Sequence, residues 1–341
     1  MNIAVIIASY NASSTIFRAV SSALKQEGVT EVIVVDDASA DDTVGVARTA
    51  DDRSGRLKII QLTENRGCSH ARNVAIENST APFIAVLDSD DFFLPNRFKV
   101  FETLTNWDLV ADNICFVPED GFLDRTELNI QKFDPSFTKI TLEDFVTSNI
   151  SRLFRPKAEL GFLKPVMRRQ FLDDHGIRYL EGVNFGEDYD LYSRCLGHGA
   201  SFYVTSHCGY VAIERTNSLS STPKTHAHLV LVQIDDALIE MPNLHSQAVK
   251  AISRHRDHSA RKYRLRTVLD IKKGDGLGNA LKQMLTSPTH FIEISTDILI
   301  DKASAILPKK KADSGTRPLR YLLDGNRHAQ YPTQTVPLET L

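Results

Sequence analysis

Apolar runs alternate with amphipathic stretches through the first 116 residues. Runs at 3–8, 31–36, 57–62, 83–87 and 109–116 predict strands, and the stretches near 13–26, 40–51, 68–78 and 95–104 predict helices. Strands that are apolar on both faces need cover on both sides. The pattern therefore predicts an α/β fold with a mostly parallel, Rossmann-like central sheet flanked by helices, and places ligands outside the carboxyl ends of the strands. From 117 to 160 the pattern turns irregular, as in a connecting excursion. A second block predicts a strand at 160–167, helices at 168–176 and 187–199, and strands at 201–205 and 208–214. Residues 222–305 read as mainly helical. Residues 308–341 mix Pro, Gly, Thr and charge without periodicity, which predicts a mobile tail. No internal repeat is visible.

Charge changes this picture by dividing the chain. Residues 1–150 carry 13 Lys/Arg against 23 Asp/Glu, whereas residues 151–341 carry 27 against 20. An acidic half is a poor platform for a polyphosphate strand unless a cation intervenes, which argues against nucleic acid as a partner. A basic half can lean on anionic lipid or phosphate. The densest basic stretch runs from Arg254 to Lys273, with eight Lys/Arg against two Asp; attraction to an anionic membrane and a solvated helix face explain it about equally well. The chain opens without a positive leader. No window approaches the roughly 18 to 20 apolar residues that a spanning helix needs. Four cysteines, Cys68, Cys115, Cys195 and Cys208, lack metal-knuckle spacing and read as buried thiols in a reducing compartment.

The strongest chemical signal is Leu87-Asp88-Ser89-Asp90-Asp91, three carboxylates directly after an apolar strand. Repulsion makes that placement costly without a cation. Hard oxygen ligands at a strand end suit Mg²⁺ or Mn²⁺, with Asp90 as the direct ligand, a reading favoured over the alternative that Asp91 merely caps the next helix. A second pair, Asp36-Asp37, ends the second strand, where one carboxylate can accept hydrogen bonds from a base or ribose while Ser39 or Asp41 caps the following helix. In Asn65-Arg66-Gly67-Cys68-Ser69-His70-Ala71-Arg72-Asn73, a glycine at a helix entry precedes a guanidinium that can reach a diphosphate or pair with a surface acid. Further on, Gly186-Glu187-Asp188-Tyr189-Asp190-Leu191 sets carboxylates at a helix start. An ionised, positioned group there, Asp188, can act as a general base.

Other signals are weaker. Gly274-Asp275-Gly276-Leu277-Gly278 follows a charged helical stretch and reads as a turn. His226 with His228, and His255 with His258, lack a matching carboxylate pattern and read as exposed. No Walker lysine, GxSxG or HExxH pattern occurs, which removes P-loop hydrolases, serine esterases and zincin proteases.

The ordered set Ala8-Ser9-Tyr10-Asn11, Val35-Asp36-Asp37-Ala38-Ser39, Asn65-Arg66-Gly67 with Ala71-Arg72-Asn73, Leu87-Asp88-Ser89-Asp90-Asp91 and Gly186-Glu187-Asp188 resembles the family 2 inverting glycosyltransferases over about residues 1–220. Asn149-Ile150-Ser151-Arg152, Gly161-Phe162-Leu163-Lys164-Pro165 and the stretch from Gly186 to Tyr192 further resemble the glucosyltransferases of succinoglycan-type exopolysaccharide biosynthesis. The resemblance implies a GT-A domain over 1–220, with a nucleotide-sugar half at about 1–116 and an acceptor half at 117–220. A basic helical extension (221–307) and a flexible tail (308–341) would follow. It implies a nucleotide-sugar donor, UDP-glucose, and a divalent cation, Mg²⁺ or Mn²⁺. Ala8, Tyr10 and Asp37 would line the uridine site with Asp36 close behind, and Arg72 would approach the diphosphate. Asp88 would contact ribose or sugar, Asp90 the metal, Glu187 would position the acceptor, and Asp188 would be the base. Arg215-Thr216-Asn217-Ser218-Leu219-Ser220 resembles a loop that closes over the donor.

The implied acceptor is a lipid-diphosphate-linked oligosaccharide, met in the cytoplasm at the inner face of a bacterial plasma membrane, with a β-1,6 bond as the product linkage. Two readings compete with this one. A nucleotidyltransferase would carry a Gly-rich, Lys/Arg-containing loop where Ser9-Tyr10-Asn11-Ala12 stands, and a catalytically silent nucleotide-sugar-binding scaffold would not need intact acidic motifs.

Overall fold

The computed structural model describes residues 1–119, 127–133, 135–150, 159–214, 225–306, 319–323 and 333–337. The chain divides into two units, Met1–Ser218 with Pro318–Leu341, and Leu219–Arg317.

The first unit is built on a mixed sheet. Its strands are β1 (Ile3–Ser9), β2 (Val29–Asp36), β3 (Leu57–Gln61), β4 (Phe83–Val86), the short β5 (Phe92–Phe93) and β6 (Leu109–Pro118). After β7 (Glu127–Gln131), which stands outside this sheet, come β8 (Phe137–Ile140), β9 (Val166–Arg168) and β10 (Phe202–Glu214). The order is β3-β2-β1-β4-β9-β6-β10-β5, with β1 parallel to β2 and β4, and β2 parallel to β3. Strand order reverses direction at β1, so the ends of β1 and β4 border the crevice where such sheets bind ligands. Residues Ile3 to Ile7 are wholly buried, as a strand covered on both faces requires. Helix α1 (Ile16–Leu24) supplies part of that cover, because Ile16, Ala19, Val20, Ala23 and Leu24 recur at helical spacing and are all buried. Helices α2 (Thr43–Thr49) and α3 (Cys68–Glu77) complete the first half.

The second half departs from the sequence expectation in several places. Within the irregular stretch lie β7, β8 and helix α4 (Leu142–Ser148); a Thr141/Asp144 capping box starts α4. The strand expected over 160–167 is a 3-10 turn at Leu160–Phe162 followed by β9 alone; Pro165, with no N–H to donate, sits between them. Expected strands at 201–205 and 208–214 are one continuous strand, β10, with register shifts against β6. In the first half, the helix expected near 95–104 is a 3-10 helix, Arg97–Thr103. Helices α5 (Arg169–Asp174) and α6 (Glu187–Gly197) follow expectation.

The tail is also corrected. Two described pieces of it are strands: β11 (Arg320–Tyr321) pairs antiparallel with β6, and β12 (Thr333–Pro337) pairs with β7. Tyr321 and Leu322 are buried, and Tyr321 packs with Leu128, Ile130, Val117 and Val211. Edge pairing and these few apolar side chains hold the segment, too few to show as periodicity.

The second unit contains helices α7 (Thr225–Ile239), α8 (Ser246–Asp275), α9 (Leu277–Met284) and α10 (Pro288–Ile306). Gly276, at φ 86°, makes the turn between α8 and α9 as expected. Val268, Ala280, Met284 and Ile294 form its apolar cluster. The histidines there are not simply exposed. His228 and His255 are buried, and His255 Nδ1 lies 2.7 Å from the buried Asp235 carboxylate; Asp235 is twenty positions away on α7, beyond any local pattern. Among the basic residues of α8, Arg256, Arg261 and Arg264 pair with Asp236, Asp297 and Glu293, so part of the basic density serves helix packing. Among the described residues, no helix is long and apolar enough to cross a membrane.

Candidate active site

The site assembles at the carboxyl ends of β1, β2 and β4. Asp36, fully buried, accepts the Ser39 N–H at 3.0 Å and the Ser39 hydroxyl, closing the turn after β2. Asp37 accepts the Arg66 N–H at 2.8 Å and the Gly67 N–H at 2.7 Å. Its two oxygens thereby anchor the Asn65–Gly67 loop beside the β1 and β2 ends, where Asp37 N–H also donates to Ser9 O at 2.8 Å. Ala8 is half-buried at this place and Tyr10 is 53% exposed. Neither Ser39 nor Asp41 is the cap of α2, whose N-cap is Asp42 with no side-chain bond; Asp41 instead braces the loop before the helix, accepting from Ser13 N–H and from Thr43. Those bonds hold its carboxyl down at about 2, Thr43 and Ser13 being the main partners.

Gly67 at φ 90° opens α3. A Cβ there would fall 2.5 Å from Asn184 Oδ1, so glycine is required both by conformation and by the approach of the 180–186 segment. One turn into α3, Arg72 is 4% exposed. It does not pair with a surface acid. Its Nη2 donates to Asp88 Oδ1 at 2.7 Å, and its Nη1 reaches Glu187 Oε1 at 3.1 Å and Asp188 Oδ1 at 3.4 Å, while the guanidinium lies 5.1 Å over the Tyr179 ring.

Glu187 and Asp188 open α6 behind Gly186, whose left-handed backbone (φ 82°) turns the chain into the helix. Asp188 is 7% exposed. Its Oδ2 accepts from Lys164 Nζ at 2.8 Å and its Oδ1 from the Tyr179 hydroxyl at 3.1 Å. Lys164 Nζ is also 2.8 Å from Asp88 Oδ2. The Cys68 thiol faces Glu187 at 3.8 Å, and burial pushes that thiol up to about 11. The third acid of the motif separates from the others, since Asp190 pairs with Arg194 one turn on.

The three acids after β4 have different environments. Burial works against ionisation of Asp88, but Lys164 and Arg72 outweigh it and hold its carboxyl well below the usual range. Asp91 is buried, accepting the Tyr210 hydroxyl at 2.8 Å and the Ile213 N–H at 2.9 Å; burial, then Asp90 and Asp88, push its carboxyl up. It ties the loop to β10 and is not the helix cap considered from sequence. Asp90 is half-buried, and Arg18 Nη2 secures its backbone oxygen at 2.9 Å. Among the described residues, no group of three or more His, Cys, Asp or Glu could hold a metal. A cation held by one carboxylate and the phosphates of a substrate needs no such group.

Sequence reasoning therefore named Arg72, Asp88, Glu187 and Asp188, which meet, and Ala8, Tyr10, Asp36 and Asp37, which gather at the neighbouring strand ends. It missed Lys164 and Tyr179. The segment 215–220, expected to close over the donor, and Arg152 lie outside the described residues.

At the strand ends of a Rossmann-like sheet, the acid that follows β4 and two acids at the start of α6 gather around two buried cations, Arg72 and Lys164. The glycosyl transferase family 2 model matches residues 4–156. The succinoglycan biosynthesis protein ExoU of Rhizobium meliloti (strain 1021) is 43% identical over 327 residues, 95% of this chain and 95% of that one. The UDP-Glc:alpha-D-GlcNAc-diphosphoundecaprenol beta-1,3-glucosyltransferase WfgD of Escherichia coli is 33% identical over 116 residues, 34% of this chain and 44% of its own. Crystalline S. aureus TarS 1–349 with UDP-GlcNAc superposes with a TM-score of 0.55 at 21% identity, over 86% of this chain and 78% of that one. This chain belongs to glycosyl transferase family 2 and has the GT-A fold.

Proposed function

We infer that the protein is an inverting glycosyltransferase that moves glucose from UDP-glucose to a hydroxyl of a lipid-diphosphate-linked oligosaccharide, in assembly of a succinoglycan-type exopolysaccharide. One observation carries the reading: the carboxylate that follows β4 and those that open α6 converge through Lys164 and Arg72. Likeness to ExoU over nearly the whole chain supports the pathway class. The donor and diphospholipid acceptor in WfgD's name, and the UDP-GlcNAc bound by TarS, support the substrate classes.

In this reading Ala8, Tyr10 and Asp37 line the uridine site with Asp36 behind them, Asp88 meets the ribose or sugar, and Arg72 faces the diphosphate. Asp188 accepts the proton of the attacking hydroxyl while Glu187 positions the acceptor. The oxygen of that hydroxyl enters opposite the departing UDP, so an α-linked donor gives a β-linked product, with β-1,6 the linkage proposed. Single displacement needs one base. Asp90 would hold a Mg²⁺ or Mn²⁺ ion, which when bound neutralises charge gathering on the leaving diphosphate. The acceptor's lipid would bring the protein to the cytoplasmic face of a membrane as a peripheral protein; the exposed Lys272 and Lys273 at the end of α8 suit an anionic surface.

The test is a panel of nucleotide sugars with Mn²⁺ and a membrane extract containing lipid-linked oligosaccharides, run with the wild type and Asp188→Asn. UDP release and a β-linked product are expected with UDP-glucose. Asp188→Asn should keep UDP binding and lose transfer by about 10²-fold or more. Pyrophosphate release would mark a nucleotidyltransferase, no turnover with any donor would mark a scaffold, and near-normal turnover of the variant would remove Asp188 as the base.

A further inference from the structure

Asp88 and Asp188 share one ammonium, and the fold places it deliberately. Strand β9 runs antiparallel to β4 with Val166 opposite Ala85. Two residues further along that register, Lys164 stands at the end of β4, where Asp88 begins. Pro165 restricts Lys164 to extended backbone. Arg97, wholly buried, donates from Nη2 to Lys164 O at 2.6 Å while the same guanidinium grips Asp112 at 2.7 Å. Room for this pair comes from Gly209, where a Cβ would fall 2.5 Å from Arg97 Cγ and 2.6 Å from Asp112 Oδ2.

The two carboxylates depend on Lys164 unequally. Arg72 grips Asp88 at 2.7 Å but reaches Asp188 only at 3.4 Å. Lys164, at 2.8 Å, is therefore the close cation of Asp188, whereas Asp88 has two. A carboxylate offers about four acceptor directions. Lys164, Tyr179 and Arg72 occupy three on Asp188, which leaves one for an incoming hydroxyl.

We propose that Lys164 is a positioning residue for sugar transfer: it fixes Asp188 through Oδ2, aims the remaining acceptor direction at the attacking hydroxyl, and ties that carboxylate to Asp88 on the donor side. It acts through Asp188 and takes no proton itself. The proposal rests on the reading of Asp188 as base.

Lys164→Met, Lys164→Gln and Lys164→Arg are compared with the wild type in the full chain, using thermal melts, calorimetric UDP binding, and kcat and donor KM. Met and Gln variants should bind UDP and show a donor KM within about threefold of wild type, since Arg72 still holds Asp88, while kcat falls about 10²-fold, the cost of misplacing a reacting group. Arg should recover at least about fivefold over Met by restoring the cation. Gln keeps a hydrogen-bond donor without the charge and guards against a Met variant that fails to fold. The proposal is overturned if a folded Met or Gln variant keeps kcat within about threefold of wild type, or if UDP binding falls in proportion to kcat. It is also overturned if both variants fail to fold, because Lys164 is then structural. Wild type that transfers no sugar would instead overturn the functional reading itself.

Discussion

Replacing Asp112 by Asn should destabilise the protein far more than an isosteric change at a surface would. Arg97 and Asp112 are 0% and 1% exposed, and the guanidinium donates to both carboxylate oxygens, at 3.1 and 2.7 Å. Breaking such a pair from one side leaves a buried charge uncompensated, at a cost of about 3–5 kcal/mol. Three aromatic faces lessen that penalty: Arg97 Cζ lies 4.5 Å from the Phe93 centroid, 5.1 Å from Tyr210 and 5.3 Å from Phe98. The expected loss is therefore near the lower end, about 3 kcal/mol, which for a unit of this size lowers Tm by about 6–12 °C. Differential scanning calorimetry of the full chain measures it. The double variant Arg97→Met/Asp112→Leu should regain most of the stability, because apolar groups of similar volume replace such pairs at little cost, but not the activity, because Lys164 O loses its donor. A Tm drop under about 2 °C for Asp112→Asn would refute the reasoning.

Two further outcomes follow from the site. EDTA should abolish turnover and Mn²⁺ or Mg²⁺ restore it, and Asp90→Asn should raise the metal concentration for half-maximal rate by about tenfold or more, read from metal titrations of activity; an unchanged requirement would remove Asp90 as ligand. Asp41 has a folded-state carboxyl lowered to about 2 from 3.8, so its contribution to stability is fully present above about pH 4 and is lost as pH falls towards 2. Urea titrations of wild type and Asp41→Asn should show a stability gap that is constant at neutral pH and narrows across that window; a gap independent of pH would contradict it.

The first half of the sheet was legible because β1, β2 and β4 are buried on both faces and so read as unbroken apolar runs. Asp88 and Asp188 were legible because carboxylates clustered at a strand end or helix start are costly without a purpose. Lys164 was not. It stands in Gly161-Phe162-Leu163-Lys164-Pro165 as one charge among apolar neighbours, and its role depends on the antiparallel register of β9, which no local pattern encodes. A lysine between apolar residues and a proline is the one signal that could have singled it out. Tyr179 gave no signal, because a hydroxyl becomes informative only once Asp188 faces it. The tail escaped for a related reason: β11 and β12 are stabilised by partners some two hundred residues earlier, and sequence periodicity reports only on near neighbours.

That late return of the chain sets an order for synthesis. Asn113 on β6 exchanges two hydrogen bonds with Leu323, accepting its N–H at 2.7 Å and donating to its carbonyl at 3.1 Å, and the Tyr321 hydroxyl accepts the Gln131 N–H at 2.8 Å. On the ribosome these clasps cannot close until the whole helical unit has emerged. The nascent sheet must wait with Leu128, Ile130 and Val117 lacking their last covering side chain, an interval in which chaperone capture or premature termination would decide how much enzyme a cell obtains.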